Sequence, residues 1–241
     1  MSGHSHWHSI KYQKGVVDAK KSKIFSKMAR EITVAAREGG SNPDTNPSLR
    51  LAIERAKSIN MPSENIERAT KKGSGELEGV KLESITVEAF GPGGIALIIE
   101  GITDNKNRAL NEIKQALAQN NGKIVSEGAV RWLFERKGVI TVSSKHPTIS
   151  KEELELKIIE AGAEDIYWHN ETLDIYTKVE NLDMVKKNLE NQGIKIESAS
   201  LDWVAKKEIT IEEKDKKMAQ NLFDSLDETE SVQEIYSNLK D

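Results

Sequence analysis

The apolar positions of this chain change period twice. From Lys20 to Glu38, Ile24, Phe25, Met28, Ile32, Ala35 and Ala36 recur with a helical spacing, while Lys20, Lys23, Lys27, Arg30 and Arg37 share the opposite side. Gly39-Gly40 supplies a stop. Asn46-Pro47 opens a second helix with proline at its first position, and Leu49, Ala52, Ile53, Ala56 and Ile59 form a stripe that Pro62 closes. A third, shorter helix is expected from about Ser63 through Ile66 and Ala69 to Gly73, followed by a Gly, Ser and Glu linker. Residues 1–19 show no sustained period and read as an arm.

Past residue 80 the period becomes two. Ile85, Val87 and Ala89 alternate with polar neighbours, Gly91-Pro92-Gly93-Gly94 makes a turn, and Ile95 to Ile99 returns as a buried strand. Thr103 or Asp104 is the expected cap of a helix with Leu110, Ile113 and Leu117 inside. A strand in which Val130, Trp132 and Phe134 alternate follows Asn121-Gly122. From Gly138 the order is strand, helix 150–161, strands around 166–168 and 173–177, helix 181–192 and strand 194–204, which spells the ferredoxin-like βαββαβ. A strand near Ile209 to Ile211 and helices near 212–226 and 231–239 are too little to stand alone. Returned to the earlier ββαβ segment, they complete ββαββα, a circular permutation of the same alternation.

The fold expectation is therefore α+β in three domains. A basic arm plus helical domain covers 1–80, and a discontinuous ferredoxin-like-type domain covers 81–136 and 205–241. A second ferredoxin-like domain, 137–204, is inserted into it.

Charge adds what periodicity cannot. The net charge of -4 hides a segregation: residues 1–75 hold 14 Lys+Arg against 7 Asp+Glu, a net of +7, and the remainder carries -11. One end attracts phosphate and the other repels it. Zero cysteines exclude disulfides and thiolate metal sites. Met1 to Ile10 lacks the pattern of a signal peptide, and no apolar run approaches the ~18–20 residues of a membrane span, so a cytoplasmic protein without membrane contact is expected.

Lysines and arginines spaced along a helix face release condensed counterions from a nucleic acid. Lys20, Lys23, Lys27, Arg30 and Arg37 have that form, supplemented by Lys11, Lys14 and Lys21 before them and by Arg50, Arg55, Lys57, Arg68, Lys71 and Lys72 in the same module. Lys106 and Arg108 stand in the first turn of a helix, where cations oppose the positive end of the dipole. Either Asp104 compensates them locally, or they and the free backbone N–H groups form an anion site. His4, His6 and His8 alternate around Trp7, but without cysteine or nearby carboxylate partners they favour, over a metal tract, a flexible arm whose Trp7 and Tyr12 stack on bases or pack on the protein. Tyr167, His169 and Tyr176 on one sheet face resemble an RNA-stacking platform, yet residues 138–204 carry -6, which favours a protein-facing surface or an interdomain contact. Candidate nucleophiles and bases do not assemble, so no catalytic residue, metal or cofactor is assigned, and the chain reads as non-enzymatic.

Several of these segments together carry a resemblance. Gly3-His4-Ser5-His6-Trp7 with Ile10-Lys11, Lys23-Ile24-Phe25, Leu49 to Ile53, Asn60-Met61-Pro62 with Asn65-Ile66, Gly91 to Gly94, and Thr103 to Arg108 resemble, in order, the motifs of the YebC family. That family includes the mitochondrial translational activator of cytochrome oxidase. The chain departs from the family pattern at His6, where lysine is usual, and at Lys11-Tyr12. The resemblance implies a three-domain regulator of gene expression that binds nucleic acid. Two roles follow: a transcriptional regulatory protein on duplex DNA, or a ribosome-associated translation factor that binds ribosomal RNA and relieves stalling at sequences such as polyproline. The acidic domains would then meet a protein partner. The target sequence and oligomeric state are not written in the chain.

Overall fold

The computed structural model describes residues 18–144, 149–169 and 171–240, with side chains from Lys21 onward. In chain order the elements begin with α1 (Asp18–Gly39), α2 (Pro47–Ser58), α3 (Ser63–Ser74), β1 (Glu83–Phe90), β2 (Ala96–Thr103), α4 (Lys106–Gln119) and β3 (Lys123–Ile124). They continue with β4 (Phe134–Ser143), α5 (Lys151–Ala161), β5 (Asp165–Trp168), β6 (Thr172–Thr177), α6 (Leu182–Asn191), β7 (Ile196–Ala205), α7 (Glu213–Glu228) and β8 (Val232–Ser237). The chain divides into two compact units, Met1–Phe134 with Ala205–Asp241, and Glu135–Val204.

The first unit opens with the three helices. Met28, Ile32, Ala35 and Ala36 of α1 meet Leu49, Ala52 and Ala56 of α2 and Ile66 and Ala69 of α3 in one buried cluster. Asn46 fixes the turn between α1 and α2. Its Oδ1 caps α2 by accepting from the Leu49 N–H at 3.1 Å, and its Nδ2 donates to the Ala35 and Gly40 carbonyls at 2.8 Å each. α3 lies so close to α1 that a Cβ on Gly73 would stand 2.3 Å from the Thr33 carbonyl oxygen, an approach only glycine permits.

An antiparallel sheet of order β3-β1-β2-β8 completes this unit, and α4 and α7 bury their apolar faces on it. Ile85, Val87 and Ala89 point to that core, while Glu88 points the other way. Four expectations need correction here. Residues 130–133 are not strand: the Glu88 carboxylate accepts from the backbone N–H groups of Gly128, Val130 and Arg131 at 2.7 to 3.0 Å and curls the segment into a 3-10 turn. Residues 231–239 are not a helix but contain β8, and the strand expected near Ile209 is a single bridge to Leu239. The element order is thus ββαβ followed by αβ, not ββαββα. The cause of the misreading is a register shift of β8 against Glu100 and Gly101, which turns both Val232 and Ile235 to the core. Two inward residues three apart imitate a helical period. Finally, α4 is capped by Asn105, whose Oδ1 accepts from the Arg108 N–H at 3.1 Å, and not by Thr103 or Asp104.

The second unit has the βαββαβ order. Its sheet runs β5-β6-β4-β7, so the first and third strands of the module are central, the ferredoxin-like arrangement. Leu154, Ile158 and Ala161 of α5 and Leu182, Val185 and Leu189 of α6 are buried. The protein is therefore α+β, a helical region followed by two antiparallel sheet-bearing parts.

Candidate nucleic-acid interface

The longest run of cations in the sequence does not face solvent along its length. Spaced at i, i+4 and i+7, Lys23, Lys27 and Arg30 fall on one side of α1, and that side meets the C-terminal end of α7. Lys23 Nζ donates to the Glu228 carbonyl at 2.8 Å; Lys27 Nζ donates to the Asp227 carbonyl at 3.0 Å and its carboxylate at 3.1 Å. Arg30 donates to the Glu230 carbonyl at 2.8 Å and pairs with the Glu230 carboxylate. A helix C-terminus leaves carbonyls without intrahelical partners and carries partial negative charge, so three cations there are well placed. Lys27 is buried, with 5% of its side chain exposed. Arg37, further along α1, donates to the Leu82 carbonyl.

A second ionic group ties the helices to the sheet. Arg55 of α2 pairs with Glu31 of α1 at 2.9 Å and with Glu234 of β8. Desolvation raises the pKa of Glu31, Arg55 works against this, and Glu234 and Glu100 add to the rise. Glu88 shows the opposite balance: desolvation works upward, yet the three N–H donors and Arg131 outweigh it and hold the carboxyl below its ordinary value.

The remaining candidates are distributed differently. Arg50 donates to the Pro43 carbonyl at 3.0 Å. Lys71 pairs with Glu67 one turn away at 2.6 Å, whereas Lys72 is exposed and has no ion pair or hydrogen-bond partner among the described residues. Lys106 pairs with Glu83 at 3.1 Å and lowers that carboxyl's pKa, and Arg108 pairs with Asp104. Of the two cations in the α4 first turn, Arg108 thus meets Asp104, the expected local carboxylate, while Lys106 meets Glu83 of β1, which the sequence did not point to. Lys11, Lys14, the histidines of the arm with Trp7 and Tyr12, and the side chain of Lys20 lie outside the described residues.

What the structure does bring together is a cleft of about 870 Å³ between α1 and α3. Lys21, Phe25 and Arg30 of α1 line it, with Met61, Arg68 and Lys72 from the α3 side. Val80 and Leu82 of the segment before β1 add an apolar wall, and Asp104, Arg108 and Glu230 complete the lining. Arg68, like Lys72, is exposed and without an ionic or hydrogen-bonded partner among the described residues. Their i, i+4 spacing on α3 was the available signal; what periodicity lacked was the apolar wall, which comes from outside the helices.

In the second unit, Tyr176 is buried, and Tyr167 and His169 are half-buried in an edge-to-face pair 4.8 Å apart. His169 Nε2 sits 2.9 Å from Asp174 Oδ2, and Thr141 Oγ1 donates to Asp174 Oδ1 at 2.8 Å. On that sheet face Tyr167 and Tyr176 pack with Val139 and Val204 beside the Thr141, Asp174 and His169 contacts, so it is not an open stacking platform. Trp168 Nε1 donates to Glu155 at 2.8 Å. No described helix is long and apolar enough to cross a membrane, and among the described residues no group of His, Asp or Glu could hold a metal ion.

A helical region built around an internal ionic contact, followed by a split sheet with a ferredoxin-like insertion, defines a modular α+β class of protein. The chain belongs to the TACO1/YebC family: the family's N-terminal domain matches residues 5–76, and its second and third domains match residues 82–239. A "probable transcriptional regulatory protein" of Halothermothrix orenii is 46% identical over 99% of this chain and 94% of its own. A protein of the same description from Thermotoga maritima is 46% identical over 100% of this chain and 94% of its own. The crystal structure of a conserved hypothetical protein from Aquifex aeolicus superposes with a TM-score of 0.89 at 45% identity, covering 98% of this chain and 96% of that one.

Proposed function

We propose that this chain is a cytoplasmic regulator of transcription that acts by binding nucleic acid and not by catalysis. The observation that carries the reading is the likeness along the whole chain to relatives described as probable transcriptional regulatory proteins. The charge segregation is consistent with it, because a +7 amino-terminal region raises the local concentration of phosphate around that end. The test is genomic. Chromatin immunoprecipitation of the tagged protein is expected to enrich a limited set of promoters, with matching transcript changes when the gene is deleted. Uniform recovery of DNA with unchanged transcripts would remove transcription from the account.

A second reading is favoured by one specific observation. The basic side of α1, the longest helix, is engaged by α7 at Lys23, Lys27 and Arg30 and is not presented as a recognition helix for a major groove. A factor that docks on ribosomal RNA needs no such helix. This reading predicts sedimentation with salt-washed ribosomes, and recovery only in the ribosome-free fraction would dismiss it.

A further inference from the structure

We infer that the cleft between α1 and α3 seats one strand of nucleic acid, with phosphates on Arg68 and Lys72 and a base against the apolar lining that includes Phe25 and Val80. This rests on the reading that the chain binds nucleic acid, and adds where it binds and what form it takes.

The cations of the cleft are not alike. Arg30 and Arg108 in the cleft are balanced by Glu230 and Asp104, but Arg68 and Lys72 have no carboxylate partner among the described residues. They stand one turn apart on the same helix, the spacing at which two side chains reach the same side. An apolar wall stands beside these cations. Phe25, Ala29, Val80 and Leu82 offer apolar surface that a phosphate could not use, and Val80 is 69% exposed. Cations bordering apolar and aromatic surface are what a base and its flanking phosphates require.

Shape decides between strand and duplex. A double helix stacks its bases inside and is read by elements that protrude into its grooves. A concave cleft of about 870 Å³, within the size range of small-molecule sites, receives a splayed base instead.

The experiment uses the full chain and fluorescence anisotropy with four labelled probes: oligo(dT), oligo(rU), an abasic deoxyribose strand of equal length, and a mixed-sequence duplex. Oligo(dT) or oligo(rU) is expected to bind about tenfold tighter than the abasic strand, as one stacked base allows. A preference between the two identifies the sugar and supports the same seat. The variant Arg68→Glu/Lys72→Glu is expected to lose about tenfold or more, with a shallower salt dependence. The charge-matched control Lys114→Glu/Lys123→Glu, on α4 and β3, is expected to stay within about threefold, with both variants melting like the parent. Equal losses in the two variants, or abasic and duplex probes bound as tightly as oligo(dT), would overturn the assignment while leaving nucleic-acid binding in place. Failure of the parent to bind any probe in dilute buffer would remove the cleft and the underlying reading together.

Discussion

Lys27 on α1 and Lys72 on α3 belong to the same small helical region and look alike in the sequence, yet one is buried against Asp227 and the other stands exposed with no partner among the described residues. The difference teaches that a basic stripe records only that an anion is needed. Whether the anion is a phosphate or a carboxylate of the same chain depends on residues about 200 positions away.

The largest effect is expected at Lys27. Replacing it with methionine removes the buried ammonium that donates to Asp227, and we expect a loss of about 3 kcal/mol in urea unfolding. Adding Asp227→Leu should recover much of it. If Lys27→Met unfolds like the parent, the α1 stripe is not held by α7 and the contrast with α3 disappears.

Glu31 gives an intermediate effect with a defined sign. Its folded pKa lies above its unfolded value, so the stability it contributes is fully present below the ordinary carboxylate range and is lost as pH rises through the folded pKa. Melting of the parent relative to Glu31→Gln should therefore become less favourable as pH rises from acid toward neutral. A difference independent of pH would mean that the Glu31, Arg55 and Glu234 group is more solvated than its position indicates.

The smallest effect sharpens the other side. Arg68→Ala and Lys72→Ala should each alter stability by less than about 0.5 kcal/mol, as exposed side chains without partners do. A larger loss would show that α3 also uses its cations internally.

Much of the architecture was legible because local rules and tertiary packing agree. Asn46-Pro47 caps and starts α2 as its residue types dictate, and the βαββαβ order of the second unit follows from plain alternation. Legibility failed where a distant group intervened. The carboxylate of Glu88 bends residues 128–131, the register shift beside Gly101 gives β8 a helical spacing, and the acidic turn after α7 claims the cations of α1. Of the interface, the basic residues were readable and their orientation was not, since the cleft takes its wall from the segment before β1 and part of its rim from α4 and Glu230.

The insertion of residues 135–204 has a consequence during synthesis. Until the ribosome has produced α7 and β8, the nascent first unit lacks both its edge strand and the carbonyls that hold Lys23 and Lys27. The inserted unit has its whole sheet-forming sequence earlier and is free to fold first. For that interval the bare lysines of α1 are available to any polyanion nearby, and closure of the first unit is the event that withdraws them.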